Sequence, residues 1–206
     1  MSKKEIFFSL DIETNGQAPG LHSMLSLGCA AFDPETGDTL GTYFVNLLPL
    51  EGAGEDAETM EWWKKFPEKY QEATRNAVPA ADAIQEFVGW VQEVAAGRKA
   101  VAACKPTWDF HFIHWYLVKF LGRAANQVFG HRAYCIKTAV AEALGLPFRG
   151  YGDGDVPAAW RGGLPHTHNA LEDALEAAEI CKAARAKLVE MRKMAQRTTE
   201  EANGKD

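Results

Sequence analysis

The apolar run Phe7-Phe8-Ser9-Leu10 leads directly into Asp11-Ile12-Glu13-Thr14, two carboxylates separated by one residue at the end of a strand-like stretch. Side chains in a strand repeat every second position, so Asp11 and Glu13 point to one face. Together they can hold one hard divalent cation. The pair alone is equally compatible with a strand that ends in a polar turn with both acids solvated. Further carboxylates arriving from distant segments would decide between these readings.

The rest of the chain falls into alternating segments. After 5–10, strands are expected at 24–32 and 39–46, with the turn Asp33-Pro34-Glu35-Thr36-Gly37-Asp38 between them, which makes an antiparallel meander. The period then lengthens toward 3.6. It predicts a helix over 58–75 broken near Pro67, and a longer one over 80–96 with Ile84, Phe87, Val88 and Val91 on its apolar face. A short buried strand at 99–103 follows a helical crossover and is therefore expected parallel to an earlier strand. A helix at 109–121, a strand near 131–135 and a helix at 137–144 ending at Gly145 come next. The glycine-rich segment 147–167 reads as a long functional or mobile loop. An alanine-rich helix over 168–190 closes the domain. This order fits an α/β fold, a mixed sheet flanked by helices, with residues 1–191 as one domain and 192–206 as a frayed polar tail.

Composition removes several classes of function. At 206 residues with 47% hydrophobic and 24% charged side chains, the chain can bury a substantial core and is not a disordered segment. No apolar stretch approaches the ~20 residues of a membrane span, and the start lacks a secretory signal, so a cytoplasmic protein is expected. Cys29, Cys104, Cys135 and Cys181 are widely spread and read as unpaired thiols. A net charge of −6 disfavours a long footprint on nucleic acid, which needs many cationic contacts to phosphate. A single strand end remains compatible, because bound cations would invert the local sign.

Two later stretches supply the missing acids. In Trp108-Asp109-Phe110-His111-Phe112-Ile113, a carboxylate sits among aromatics where a strand hands over to a helix. It is costly there unless it caps the helix or meets a cation. In His166-Thr167-His168-Asn169-Ala170-Leu171-Glu172-Asp173, a helix starting near Asn169 places Asp173 in its first turns. Ala170, Ala174 and Ala177 then form a small-residue stripe that allows close approach to the sheet.

DIET at 11–14, WDFHFI at 108–113 and HNALED at 168–173 together resemble the three motifs of the DEDDh 3′→5′ exonucleases, the DnaQ-like branch of the ribonuclease H-like superfamily. The resemblance spans roughly residues 5–185. It implies a ribonuclease H-like mixed sheet and two Mg²⁺ or Mn²⁺ ions bound by Asp11, Glu13, Asp109 and Asp173. It makes His168 the general base, since only His168 and not His166 stands five residues before Asp173. The expected substrate is the 3′ end of single-stranded DNA or RNA, released as nucleoside 5′-monophosphates. Thr59-Met60-Glu61-Trp62-Trp63 adds a likeness to phage exodeoxyribonuclease A and the small bacterial 3′→5′ exoribonucleases.

Substrate contacts are expected from Thr14, from Trp62 or Trp63 by stacking on a base, and from Arg161 by pairing with phosphate. Two adjacent helical positions do not share a face, so one of the two tryptophans belongs to the core. Where many family members carry His-Asn before the second-motif Asp, this chain has Cys104-Lys105-Pro106-Thr107, and Lys105 reads as a surface lysine. Other readings are an oligoribonuclease-like enzyme for very short RNA and a non-catalytic nucleic-acid-binding module. The module is disfavoured because four clustered carboxylates without metal repel one another. A homodimer is a further expectation, as in several relatives.

Overall fold

The structure is a computed structural model that describes residues 4–203. Its centre is β1 (Glu5–Thr14), which runs four residues further than the sequence pattern predicts, so that Asp11 and Glu13 lie within the strand. β1 pairs antiparallel with β2 (Met24–Phe32), which pairs antiparallel with β3 (Thr39–Asn46). On its other edge β1 pairs parallel with β4 (Lys99–Cys104), and β4 pairs parallel with β5 (Ala133–Cys135). The five-stranded order is β3-β2-β1-β4-β5, the mixed sheet with an antiparallel meander that the sequence predicts.

Helices cover both faces because β1 is apolar on both. Ile6, Phe8, Leu10 and Ile12 pack against α3 (Ala80–Ala95) and α4 (His111–Leu121). Phe7, on the opposite face, packs with α5 (Ile136–Leu144) and α6 (Ala170–Asn203). Asp11 and Glu13 share the parity of Phe7, so the carboxylates point toward the α6 side.

The predicted break at Pro67 separates α1 (Ala57–Trp63) from α2 (Pro67–Thr74), with proline in the first turn of the second helix. Asp56 caps α1 by accepting from the Thr59 backbone N–H at 2.9 Å. The helix expected from residue 109 begins at His111, preceded by a wide π-type turn, Pro106–Phe110, that contains Asp109. The segment 147–167 is anchored: it folds into two short 3₁₀ turns, buries Val156 and ties the Tyr151 hydroxyl to the Lys137 carbonyl at 2.6 Å.

At its C-terminal end α6 departs from expectation. Residues 192–203 continue the helix rather than fray, because Arg, Lys, Met, Ala, Gln and Glu are strong helix formers that need no packing partner. The remaining tail residues, 204–206, lie outside the described residues. Among the described residues no helix is long and apolar enough to cross a membrane, and all four cysteines are unpaired.

One glycine sets the distance between α6 and the sheet. Gly28 is the cross-strand partner of Asp11, and a Cβ on it would lie 2.1 Å from the carbonyl carbon and oxygen of Ala170. The buried stripe is Ala170, Ala174, Ala178, Cys181 and Ala184; of the expected Ala170, Ala174 and Ala177, the last is only half-buried and lines the cavity beside the site, and Ala178 takes its place. Close backbone approach requires small residues on both partners. Gly28→Ala should therefore cost about 1–3 kcal/mol of stability by overpacking. Urea denaturation checks this, and an unchanged midpoint would show that α6 does not sit against β2 as described.

Candidate active site

Three remote segments meet at the head of β1. The strand period presents Asp11, 7% exposed, and Glu13 on one face. α6 brings Asp173, and single oxygens of Asp11, Glu13 and Asp173 lie within 4.8 Å of one another. Asn169 makes this docking definite by capping α6: its side-chain oxygen accepts from the Leu171 and Glu172 N–H groups at 3.1 and 3.2 Å. Asp173 is in turn oriented by the backbone N–H groups of Thr167 (2.8 Å) and His168 (3.0 Å).

Asp109 enters from the π-type turn and is fully buried. Its Oδ2 accepts the Lys105 N–H at 2.8 Å, while its Oδ1 is buried with no hydrogen-bond partner among the described residues. Both Asp109 and Asp11 face the Lys105 ammonium, at 3.8 and 3.4 Å. Lys105 is thus the surface lysine that its sequence context suggests, but one whose ammonium reaches over the carboxylate cluster to Asp11 and Asp109.

The electrostatics follow from burial. Desolvation, reinforced by the neighbouring carboxylates, pushes Asp11 up to about 8 and Glu13 up to about 9. Asp109 rises to about 6, its burial partly offset by Lys105. Asp173 is the exception: burial works to raise it, but hydrogen bonds from His166 and from the Thr167 and His168 backbones hold it below the usual carboxylate range. Lys105 is itself raised, because Asp11 and Asp109 outweigh its desolvation.

The two histidines differ in company. His166 Nδ1 lies 3.3 Å from both Asp173 and Glu176, and these carboxylates raise it to about 9 despite partial burial. His168 makes no such pair; burial and the charge of His166 lower it. Its ring packs against both Trp62 and Phe66, with centroids at 4.8 and 5.0 Å, and those two rings also touch each other. His168 also has φ +58°, a left-handed conformation that a non-glycine residue holds at a cost and that is concentrated at functional sites.

The remaining expected contacts sort differently. Trp63 is 3% exposed and donates its indole N–H to the Thr14 carbonyl at 2.9 Å, so it is the core tryptophan of the pair and not a stacking surface. Half-buried Trp62 lines a pocket with Glu13, Thr14, Thr59 and Trp108. The Thr14 hydroxyl donates to the Gly16 carbonyl at 2.8 Å, and Thr14 lines the same pocket as Trp62. Arg161 is bonded to Glu176 and to the Asp153 carbonyl, so phosphate would have to displace it from a buried carboxylate. Glu176 and Trp108 joined the site without being foreseen. Glu176 follows the third motif by one helical turn, and Trp108 stands beside Asp109; those positions were the only signals.

The donor set suits divalent cations. All four acids offer hard oxygen, the Asp109 Oδ1 is an orphaned buried acceptor, and Asp11 and Glu13 are costly as anions without a cation. Asp11, Glu13, Asp109 and Asp173 are the residues that would hold such ions.

Fold and site define a mixed α/β sheet domain with a carboxylate cluster suited to divalent cations. Residues 7–185 match the model of the Rv2179c-like 3′-5′ exoribonuclease domain, and the chain belongs to that family of 3′-5′ exonucleases. It is 29% identical over 182 residues to the 3′-5′ DNA exonuclease Cap18 of Escherichia coli, covering 86% of this chain and 90% of that protein. In fold it is similar to the nuclease domain of 3′hExo, a DEDDh family member bound to rAMP, with a TM-score of 0.63 at 12% identity over 86% of this chain and 90% of that one. S. pombe Pop2p in its Mg²⁺- and Mn²⁺-bound form gives 0.62 at 17% identity, over 87% and 82%. E. coli exonuclease I in complex with a dT13 oligonucleotide gives 0.63 at 14%, over 93% of this chain and 43% of that one.

Asp11 and Glu13 carry protons in the metal-free fold that the unfolded chain has lost by about pH 5, so rising pH favours unfolding until their folded values are passed. Chelator-treated protein should therefore lose thermal stability steadily from about pH 5 to about pH 9, and Mn²⁺ should restore more at about pH 8 than at about pH 6, because the cation replaces those protons. Melting curves across that window check it. A flat profile in chelator would mean that the acids are not buried together.

Proposed function

We propose that this enzyme removes nucleoside 5′-monophosphates from the 3′ end of single-stranded DNA or RNA, with two Mg²⁺ or Mn²⁺ ions held by Asp11, Glu13, Asp109 and Asp173 and with His168 as general base. The observation that carries this reading is the convergence of those carboxylates at the head of β1 with His168 on the loop beside them. When bound, the cations lower the pKa of the attacking water and neutralise charge on the scissile phosphate and the leaving 3′-oxygen.

The chain's own groups do the rest. His168 accepts the proton of the attacking water at an imidazole nitrogen, a task that requires a neutral ring near the operating pH. His166 is unsuited, because its ring is committed to Asp173 and Glu176. That commitment instead helps to fix Asp173. The strained backbone of His168, bonded through its N–H to Asp173, ties the base to the carboxylate whose ligand it serves. Trp62, beside Glu13 and against the His168 ring, is placed to stack on the terminal base, which suits a substrate read without sequence preference.

The family description names RNA and the Cap18 relative DNA, so the substrate panel must contain both sugars. The acidic net charge favours short single strands over long duplexes. His168→Ala should lower the rate by about 10²–10⁴-fold on a 5′-labelled single strand in Mg²⁺ or Mn²⁺, and Asp11→Asn by at least as much, with both variants folded. Wild-type rates in either variant would refute the assignment. Trp62→Ala should weaken substrate binding by about 1–3 kcal/mol, seen as a raised KM in a variant that still folds. An unaltered KM would remove Trp62 from the substrate path.

A further inference from the structure

The cluster is not evenly built. Asp11, Glu13 and Asp173 form a compact oxygen triplet, whereas Asp109 stands apart from it and is linked to Asp11 by the Lys105 ammonium, 3.4 Å from Asp11 Oδ1 and 3.8 Å from Asp109 Oδ1. We propose that Lys105 holds the place of one cation between Asp11 and Asp109, so that the site loads its ions unequally: one readily at Asp11, Glu13 and Asp173, a second only by displacing the lysine toward the substrate phosphate. This rests on the metal-site reading above and deepens it.

Three observations support the assignment. The first is that Asp109 is incompletely satisfied. Its Oδ2 is held by the Lys105 backbone, but its buried Oδ1 has no hydrogen bond among the described residues and meets the ammonium only at ion-pair distance. A lysine that completed the site would bond that oxygen; one that keeps a place leaves it open. The second is that Lys105 has somewhere to go. Its side chain is 45% exposed and lines a cavity of about 290 Å³ shared with Asp11, Asp109, Arg161 and Asp173. A compact ammonium on a flexible four-carbon stem can leave a carboxylate pair without moving the backbone. The third is that the backbone fixes the lysine's starting point: the same N–H that orients Asp109 places the Lys105 side chain at the mouth of the cluster. Charge arithmetic then sets the order of events. A monovalent ammonium weakens a divalent ion's attraction most between Asp11 and Asp109, both of which it faces, and less at the triplet, of which it contacts only Asp11.

The experiment is a titration of the metal-free 206-residue chain with Mn²⁺ alone, free ion being followed by electron paramagnetic resonance, with no nucleic acid present. Wild type should bind one ion at least about tenfold more tightly than the second. Lys105→Met should tighten the second ion by about tenfold or more, equivalent to about 1.4 kcal/mol, and the first by less. Lys105→Gln, which keeps a polar head without charge, should do the same. Two ions of equal affinity in wild type, or unchanged second-ion affinity in both folded variants, would overturn the proposal. Asp11→Asn separates this failure from that of the underlying reading. If Asp11→Asn abolishes binding while the lysine variants change nothing, only the lysine's role falls; if Asp11→Asn binds Mn²⁺ as wild type does, the metal site itself is misassigned and the proposal falls with it.

Discussion

Mutual repulsion among buried carboxylates is the constraint on which the rest of the structure depends. Asp11 and Glu13 lie where desolvation and like charge both oppose ionisation, Asp109 where burial opposes it, and Asp173 is the exception, held down by His166 and two backbone N–H groups. Such a site is stable only with protons, an internal cation or bound metal. The protein supplies partial compensation itself, through Lys105 between Asp11 and Asp109 and through His166 against Asp173 and Glu176. On the proposed reading, the residual imbalance is what would give the site an affinity for divalent ions.

The scaffold answers the same constraint by rigidity. β1 is paired with β4 over Glu5–Ser9 and with β2 over Phe7–Thr14, so β2 fixes the stretch that carries the two acids while helices cover both faces of the strand. Gly28 lets α6 lie directly on the strand beside Asp11, and Asn169 starts that helix at the residue that presents Asp173. Asp109 is held by the first backbone N–H after β4. The fold is thus an arrangement for delivering four acids from three segments to one end of one strand, which fits the nuclease family to which the chain belongs.

Much of this was readable in the linear chain, for physical reasons that differ by residue. The period-two placement of Asp11 and Glu13 and the helix entry at Asn169 are local properties, and both hold in the structure. The meander and the parallel crossover follow from connection lengths. What could not be read depends on tertiary distance. Lys105 looks like any exposed lysine until the π-type turn aims it at Asp11. Trp62 and Trp63 are equivalent in sequence; only the Thr14 carbonyl, 49 residues away, assigns the second to the core. Arg161 was legible as a cation in a loop, but its partner Glu176 emerges only when that loop folds against α6. The helical tail at 192–203 is propensity prevailing over an expectation of fraying.

The most direct test of the account is a crystal of the enzyme soaked in Mn²⁺ and measured for anomalous scattering. The account predicts a strong peak coordinated by Asp11, Glu13 and Asp173, with any second peak reaching the Oδ1 of Asp109. Anomalous density absent from this cluster at saturating Mn²⁺, or bound elsewhere on the surface, would contradict it.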